Sequence, residues 1–398
     1  MKNISKYLGS LAVLLLCLAC GDNMVEKGPI KRSGQADVIS LDDDWRFIRY
    51  GLQADGTRVE EPAGMFEPAT DDSDWETLDV PHDFAIKGPF RMDLAGNTGR
   101  LPFQGIGWYR KTFTVDEADQ GKRFYVDFDG VMANAQVWLN GEYVGTWPYG
   151  YNSFRLDLTP FIQVGKENLL AVRTDTEKWD SRWYPGAGIY RHVWLVKTGQ
   201  VHVRHWGTKM ETTNLTEKTA DLHFTVEVEN HLNEETQAVV KTSVYELDSL
   251  DCLGKRVLRF DDQTLPLKAM SAGKVDLQKQ MDDCKRWDIE SPNRYMACVT
   301  IQVDGEETDR YYTPFGVRET SVSRDGFFLN GRRVEIKGVC NHHDLGALGA
   351  AFNRSALERQ FRIMREMGCN SIRTSHNPPA PELLDLADKT GMLIMDEA

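Results

Sequence analysis

The chain has 398 residues, 41% hydrophobic and 27% charged, which fits a globular protein rather than a disordered or membrane-spanning one and leaves length for two or three domains. The formal net charge of −13 excludes nucleic acid as a partner, because phosphates demand a basic footprint. The acidity is spread along the chain and reads as a solvated surface.

The first twenty residues predict a targeting segment. Lys2 and Lys6 precede an apolar run from Leu8 to Leu18, too short to span a bilayer as a stable helix. The run closes on Cys17-Leu18-Ala19-Cys20-Gly21, which resembles a bacterial lipoprotein signal over residues 1–20. That resemblance implies lipidation of Cys20 and export to the periplasm or outer membrane, with membrane contact through the lipid anchor only. An ordinary secretory peptide cut near the same place is the alternative. Residues 21–38 are polar and aperiodic, as expected of a linker. Beyond Cys20 five cysteines remain, Cys252, Cys284, Cys298, Cys340 and Cys369. Their odd number and irregular spacing make no disulfide framework or metal finger, and a Cys252–Cys284 bridge stays open.

From 39 to 198 the signals are all β. Arg123–Asp129 alternates, and Asn140-Gly141 between two β-rich runs is a strong hairpin signal. Many short strands between Gly, Pro and Asn turns predict a jelly-roll sandwich. Residues 199–316 continue in β, with alternation over Leu222–Glu229, Ala238–Tyr245 and Tyr295–Val303, and predict a smaller immunoglobulin-like sandwich. From 317 to 398 the pattern changes. A hairpin at Asn330-Gly331 leads into a strand over Val334–Cys340. A helix follows, with Ser355 and Glu358 as a capping box and a stop at Gly368. Strand Ser371–Thr374, a helix ending at Gly391 and strand Met392–Met395 complete the order. Strand, helix, strand, helix, strand begins a parallel α/β structure.

Functional groups in such folds gather at the carboxyl ends of the strands. Here those ends carry Asn341-His342-His343-Asp344, Arg373-Thr374-Ser375-His376-Asn377 and Asp396-Glu397. His, Asn and Asp at one rim are directional partners for a polyhydroxylated, mainly uncharged ligand. Each also has an ordinary structural use, as a surface histidine, an ion-pair arginine or a helix-initiating Asn-Pro-Pro. Metal binding at the His-His-Asp run is disfavoured, because adjacent residues on a strand face opposite ways. There is no phosphate loop, Gly-x-Ser-x-Gly elbow or dinucleotide fingerprint.

The run Asn370-x-Ile-Arg373-Thr-Ser-His376-x-Pro378, followed by Leu383-Leu384, Asp388 and Gly391, resembles the first signature of glycoside hydrolase family 2. This family holds β-galactosidases, β-glucuronidases and β-mannosidases. One departure is Asn377, where many members have Tyr. Val80-Pro-His-Asp83, Gly107–Phe113 and Arg182–Arg191 resemble motifs of the family's jelly roll. Trp287–Tyr295 and Phe315–Arg318 resemble the end of its immunoglobulin-like domain and the entry to its TIM (β/α)8 barrel. The resemblance implies a multidomain chain: sugar-binding jelly roll, immunoglobulin-like β-sandwich, and the first three βα units of the barrel. By motif, Arg373 and His376 resemble residues lining the sugar subsite, and His342 the rim histidine after the first barrel strand. Asp180 aligns with a jelly-roll aspartate that reaches the sugar, and Asp83 is expected in a loop facing the pocket. The loop Arg91–Phe103 resembles a β-galactosidase-like insertion, which makes a β-galactoside the expected substrate.

Members are retaining enzymes with two glutamates, an acid/base and a nucleophile, about 5 Å apart. By resemblance both fall on later barrel strands, beyond Ala398. Asp396 and Glu397 are adjacent on a strand and cannot straddle one bond. The expectation is therefore a glycosidase-type chain without its catalytic pair, inactive as 1–398 and protease-sensitive over its last eighty or so residues. A non-catalytic carbohydrate-binding surface protein is the alternative from a different class. No cofactor is implied, with room for a divalent or sodium ion in a full-length enzyme.

Overall fold

The computed structural model of the chain describes residues 28–30 and 32–397; the leader and Cys20 lie outside them. The first β-rich segment folds into two antiparallel sheets. One runs through Trp45–Leu52, Ile106–Thr114, Glu167–Asp175, Ala135–Leu139 and Glu142–Trp147, and the other through Phe154–Asp157, Arg123–Phe128, Val193–Thr198 and Val38–Ser40. Alternation decides which side faces in: Ala135, Val137 and Leu139 are buried while Gln136 and Trp138 are partly exposed. Trp45, Phe47, Tyr109, Phe128, Leu170 and Val193 fill the space between the sheets, each large apolar side chain contributing roughly 1.5–3 kcal/mol. At Asn140-Gly141 φ is 55° and 87°, the type I′ geometry that suits the strand twist.

The second sandwich pairs Val201–Thr213, Ala220–Asn230 and Ser271–Met281 in one sheet against a sheet containing Thr236–Leu247, Arg294–Val303 and Glu306–Phe315. Ala220–Asn230 alternates buried and half-buried without a break, so Leu222, Phe224, Val226 and Val228 all point into the core. Cys252 and Cys284 are both free thiols, so the bridge left open does not form. The linker expected over 21–38 is not a tether at its C-terminal end. Gly34–Gln35 pairs with Tyr311 and Tyr312, Arg32 bridges Asp127 and Asp129 at 2.8 Å each, and Gln35 Nε2 donates to the Val203 carbonyl at 2.8 Å. Short-range periodicity is blind to a segment whose partners lie a hundred residues away.

The third unit is a parallel sheet of β1 (Gly338–Asn341), β2 (Ser371–Thr374) and β3 (Leu393–Met395), connected by α1 (Arg354–Glu366) and α2 (Pro381–Thr390). Leu357, Phe361 and Met364 of α1 and Leu383, Leu386 and Ala387 of α2 pack with Ile372. Two local expectations are corrected. The strand expected over Val334–Cys340 is split between the hairpin strand Arg332–Val334 and β1. The cap of α1 is Asn353, whose side chain accepts from Ala356 N at 2.9 Å, while Glu358 pairs with Arg354 instead of reaching back to Ser355. Asn caps as well as Ser, and here it stands two residues closer to the loop.

This unit is fastened to both sandwiches. Arg191, 2% exposed, donates to the Tyr151 and Asp129 carbonyls of the first sandwich and to the Pro378 and Pro379 carbonyls of the third unit. Trp287 Nε1 donates to the Asp388 carbonyl at 2.7 Å. The carboxyl ends of β1 and β2 are thereby held against one end of the jelly roll.

Candidate functional site

At that junction lies an open cleft of about 620 Å³ whose walls include Asp180 and Trp183 from the jelly roll and His342, His376 and Asn377 from the strand ends. Three of the five expected sugar-site residues, Asp180, His342 and His376, thus meet in one cavity. His342 lies flat on Trp183, ring centroids 4.1 Å apart and 9° from parallel. Trp183 is fixed in turn by Asp344, whose Oδ1 accepts from its Nε1 at 2.8 Å, and stays 43% exposed. His376, after a cis Ser375–His376 peptide bond, meets His342 edge-to-face at 5.6 Å.

Arg373 touches this wall through Glu397. Its guanidinium forms a close ion pair with Glu397, and Glu397 Oε2 accepts from His376 Nδ1 at 2.9 Å. Burial pushes the Glu397 carboxyl up, but the hydrogen bonds from His376 and Arg373 outweigh it and hold the group below its usual range. Asp396 turns elsewhere, accepting from Thr374 Oγ1 at 3.1 Å. The two adjacent carboxylates, just past the end of β3, turn to different partners.

His342 and His343 follow the end of β1 and both line the cleft. His343 is half-buried, its Nε2 donating to the Pro185 carbonyl at 3.1 Å, and burial lowers its pKa to about 4. Burial also lowers that of His342. Neutral imidazoles suit a ligand of hydroxyl groups, which needs donors and acceptors rather than charge.

Asp83 is corrected. It does not face the cleft: it is 1% exposed, and both oxygens are consumed internally. Oδ1 accepts from Ala85 N and Ala187 N at 3.0 Å each, and Oδ2 from Tyr184 OH at 2.6 Å and Ala350 N at 2.9 Å. Burial raises its pKa, and those four donors pull it back.

Sequence reasoning missed Trp183 as a platform and Tyr149, whose OH donates to Asn377 Oδ1 at 3.3 Å. Trp183 was within sight, beside Arg182 in a motif already singled out. Tyr149 joins the wall from 228 residues away, and nothing local marks it.

Comparison with known proteins places these features in a family. Residues 39–199 match the glycosyl hydrolases family 2 sugar-binding domain, 201–318 the glycosyl hydrolases family 2 domain that follows it, and 320–398 the family 2 TIM-barrel domain. A β-galactosidase of Bacteroides ovatus is 46% identical over 363 residues, 89% of this chain and 40% of that protein. A crystal structure of a family 2 member from Bacteroides cellulosilyticus superposes with a TM-score of 0.83 at 34% identity, over 91% of this chain and 46% of that one. A β-glucuronidase of Bacteroides uniformis, covalently bound to a cyclophellitol-6-carboxylate aziridine, gives a TM-score of 0.78 at 26% identity, over 90% and 42% of the two chains. The chain therefore spans less than half the length of each of these proteins.

Proposed function

This chain belongs to glycoside hydrolase family 2, and from that premise we propose that residues 1–398 supply the sugar-recognition wall for retaining hydrolysis of terminal β-galactosides. The observation that carries this reading is the convergence of Asp180, His342 and His376 with the Trp183 face in one cleft at the ends of parallel strands. An indole plane receives the C–H face of a pyranose, while Asp and His side chains hold its hydroxyls. Likeness to the Bacteroides ovatus β-galactosidase supports the galactoside. Likeness to the Bacteroides uniformis β-glucuronidase supports a second reading, a glucuronide. The acid/base and nucleophile are not supplied by Asp396 and Glu397, which point apart.

The test joins residues 1–398 to the remaining length of the Bacteroides ovatus relative and compares nitrophenyl β-galactoside with nitrophenyl β-glucuronide. The galactoside should be preferred, and Asp180→Ala or His376→Ala should each lower kcat/KM on the order of a hundredfold, the size of a lost charge-assisted contact. Preference for the glucuronide would move the assignment to the second reading. Galactose quenching of tryptophan fluorescence in 1–398, lost in Trp183→Ala, checks the wall without the chemistry. For location, we propose export with Cys20 lipidated, supported by the Lys2/Lys6 and Leu8–Cys20 pattern. Cys20→Ala should release the protein from the membrane fraction, and unchanged retention would overturn the anchor.

A further inference from the structure

Far from the cleft, three Lewis bases converge at the joint between the two sandwiches. His202 and Glu229 stand directly opposite each other in the antiparallel ladder of Val201–Thr213 with Ala220–Asn230. His231 comes two residues after Glu229, and its backbone N–H extends that ladder to the Gln200 carbonyl at 2.9 Å. All three side chains consequently leave one face of the sheet. Their donor atoms lie within 4.8 Å of one another. Glu229 Oε2 is 3.7 Å from His202 Nε2 and 3.3 Å from His231 Nε2, and the two imidazoles stack 4° from parallel.

The protonation pattern makes this cluster unusual. His202 is 1% exposed, and its Nδ1 donates to the Gly199 carbonyl at 3.1 Å. A carbonyl can only accept, so the proton sits on Nδ1 and Nε2 presents a lone pair. That lone pair and the Glu229 carboxylate therefore face each other as two acceptors. Tyr125 OH lies 3.3 Å from Nε2, a long contact for a hydroxyl donor. The other oxygen of Glu229, Oε1, lies 3.4 Å from Arg204 Nε, which leaves Oε2 for the cluster. The remaining cations nearby are already engaged, Arg123 with Asp157 and Arg155 with Asp127.

We propose that His202, Glu229 and His231 bind a single Zn²⁺ on the immunoglobulin-like sandwich, beside its joint with the jelly roll. Two imidazole nitrogens and one carboxylate oxygen suit a borderline ion such as Zn²⁺. Tetrahedral donors at about 2.0–2.1 Å from zinc stand roughly 3.3 Å from one another; the Glu229 separations of 3.3 and 3.7 Å are close to that spacing, and the two parallel rings must rotate to aim both in-plane lone pairs at one ion. The Gly199 carbonyl is the outer-shell partner that fixes the ligand tautomer. Glu229 and His231 keep 28% and 24% of their side chains in solvent, which gives the ion an entry path and a water as fourth ligand.

The test titrates chelator-stripped 1–398 with Zn²⁺ in a calorimeter, and with Co²⁺ while recording the visible spectrum. One saturable equivalent is expected, with tetrahedral Co²⁺ bands that zinc abolishes. His231→Ala and the near-isosteric Glu229→Gln should each weaken zinc at least tenfold while leaving the metal-free melting curve in place. A chain with no saturable zinc, or with zinc affinity unchanged in both variants, overturns the site. The cobalt spectrum of the unaltered protein reads coordination directly and does not depend on how either variant folds.

Discussion

Asp83 shows what a residue can do in a binding-site motif without touching ligand. Its four donors come from Ala85, Tyr184 and Ala187 of the jelly roll and from Ala350 in the loop after β1. Asp83→Asn puts an amide N–H₂ where an oxygen accepts two hydrogen bonds, so about 3 kcal/mol should be lost. A calorimetric melt would register that loss, with galactose affinity nearly unchanged; lost affinity in a fully stable variant would return Asp83 to the pocket. Asp309 makes a prediction with pH. Burial raises its pKa to about 8, against about 3.9 unfolded. Between those values the unfolded chain releases a proton that the folded chain keeps. Stability from this group is thus full below about pH 4 and falls as pH rises to about 8, by up to ~1.4 kcal/mol per unit. Asp309→Asn should flatten that slope and gain most near pH 8, as urea midpoints at pH 5 and pH 8 would reveal; equal shifts at both would refute it. Much of the candidate site was legible at this scale, because His342, Arg373 and His376 sit at strand ends where parallel folds keep their chemistry. Asp83 misled for a physical reason: a motif fixes where a carboxylate stands in the chain, and only packing decides whether its oxygens are free.

At the scale of elements, the strands were legible wherever one face is buried, since a period of two then follows from the core itself. Ala220–Asn230 is the clearest case. The two Asn-Gly hairpins were equally plain, because φ is positive at Asn330 and Gly331 as at Asn140 and Gly141, and few other pairs tolerate that. What stayed hidden was docking between elements, which depends on contacts far apart in sequence. Arg191 is the main instance. It offers its guanidinium to four carbonyls, two in the jelly roll and two in the Pro378–Pro379 loop that carries Asn377. Arg191→Met keeps the apolar stem and removes every donor, so buried carbonyls lose their partners at a cost of about 3 kcal/mol or more. The loop should loosen with them. Galactose affinity should fall even though Arg191 is absent from the cleft, and a broad-specificity protease such as proteinase K should cut first between α1 and α2. Unchanged affinity in the variant would mean that the loop holds its shape without the clamp.

For the molecule as a whole, the three units are unequal. Each sandwich closes a core of its own, whereas β1 and β3 each pair only with β2 among the described residues. Parallel sheets are stable when both faces are covered, and here α1 and α2 supply one face. On and beside the strands Ile336 is 56% exposed and Met395 63%, and a strand edge with free N–H and C=O groups invites pairing with another chain. A polypeptide of residues 1–398 should therefore behave as two firm sandwiches carrying one weak unit. Limited proteolysis should remove residues beyond about 317 first and leave a β-rich core with an unchanged second melting transition. Light scattering should show concentration-dependent self-association that disappears with that unit. The same polypeptide should show no turnover of nitrophenyl β-galactoside above a buffer blank, because Asp396 and Glu397 point apart and cannot share one glycosidic oxygen. Turnover that survives purification and is lost in Glu397→Gln would establish a catalytic role for Glu397 itself, and would overturn the assignment of this unit to recognition alone.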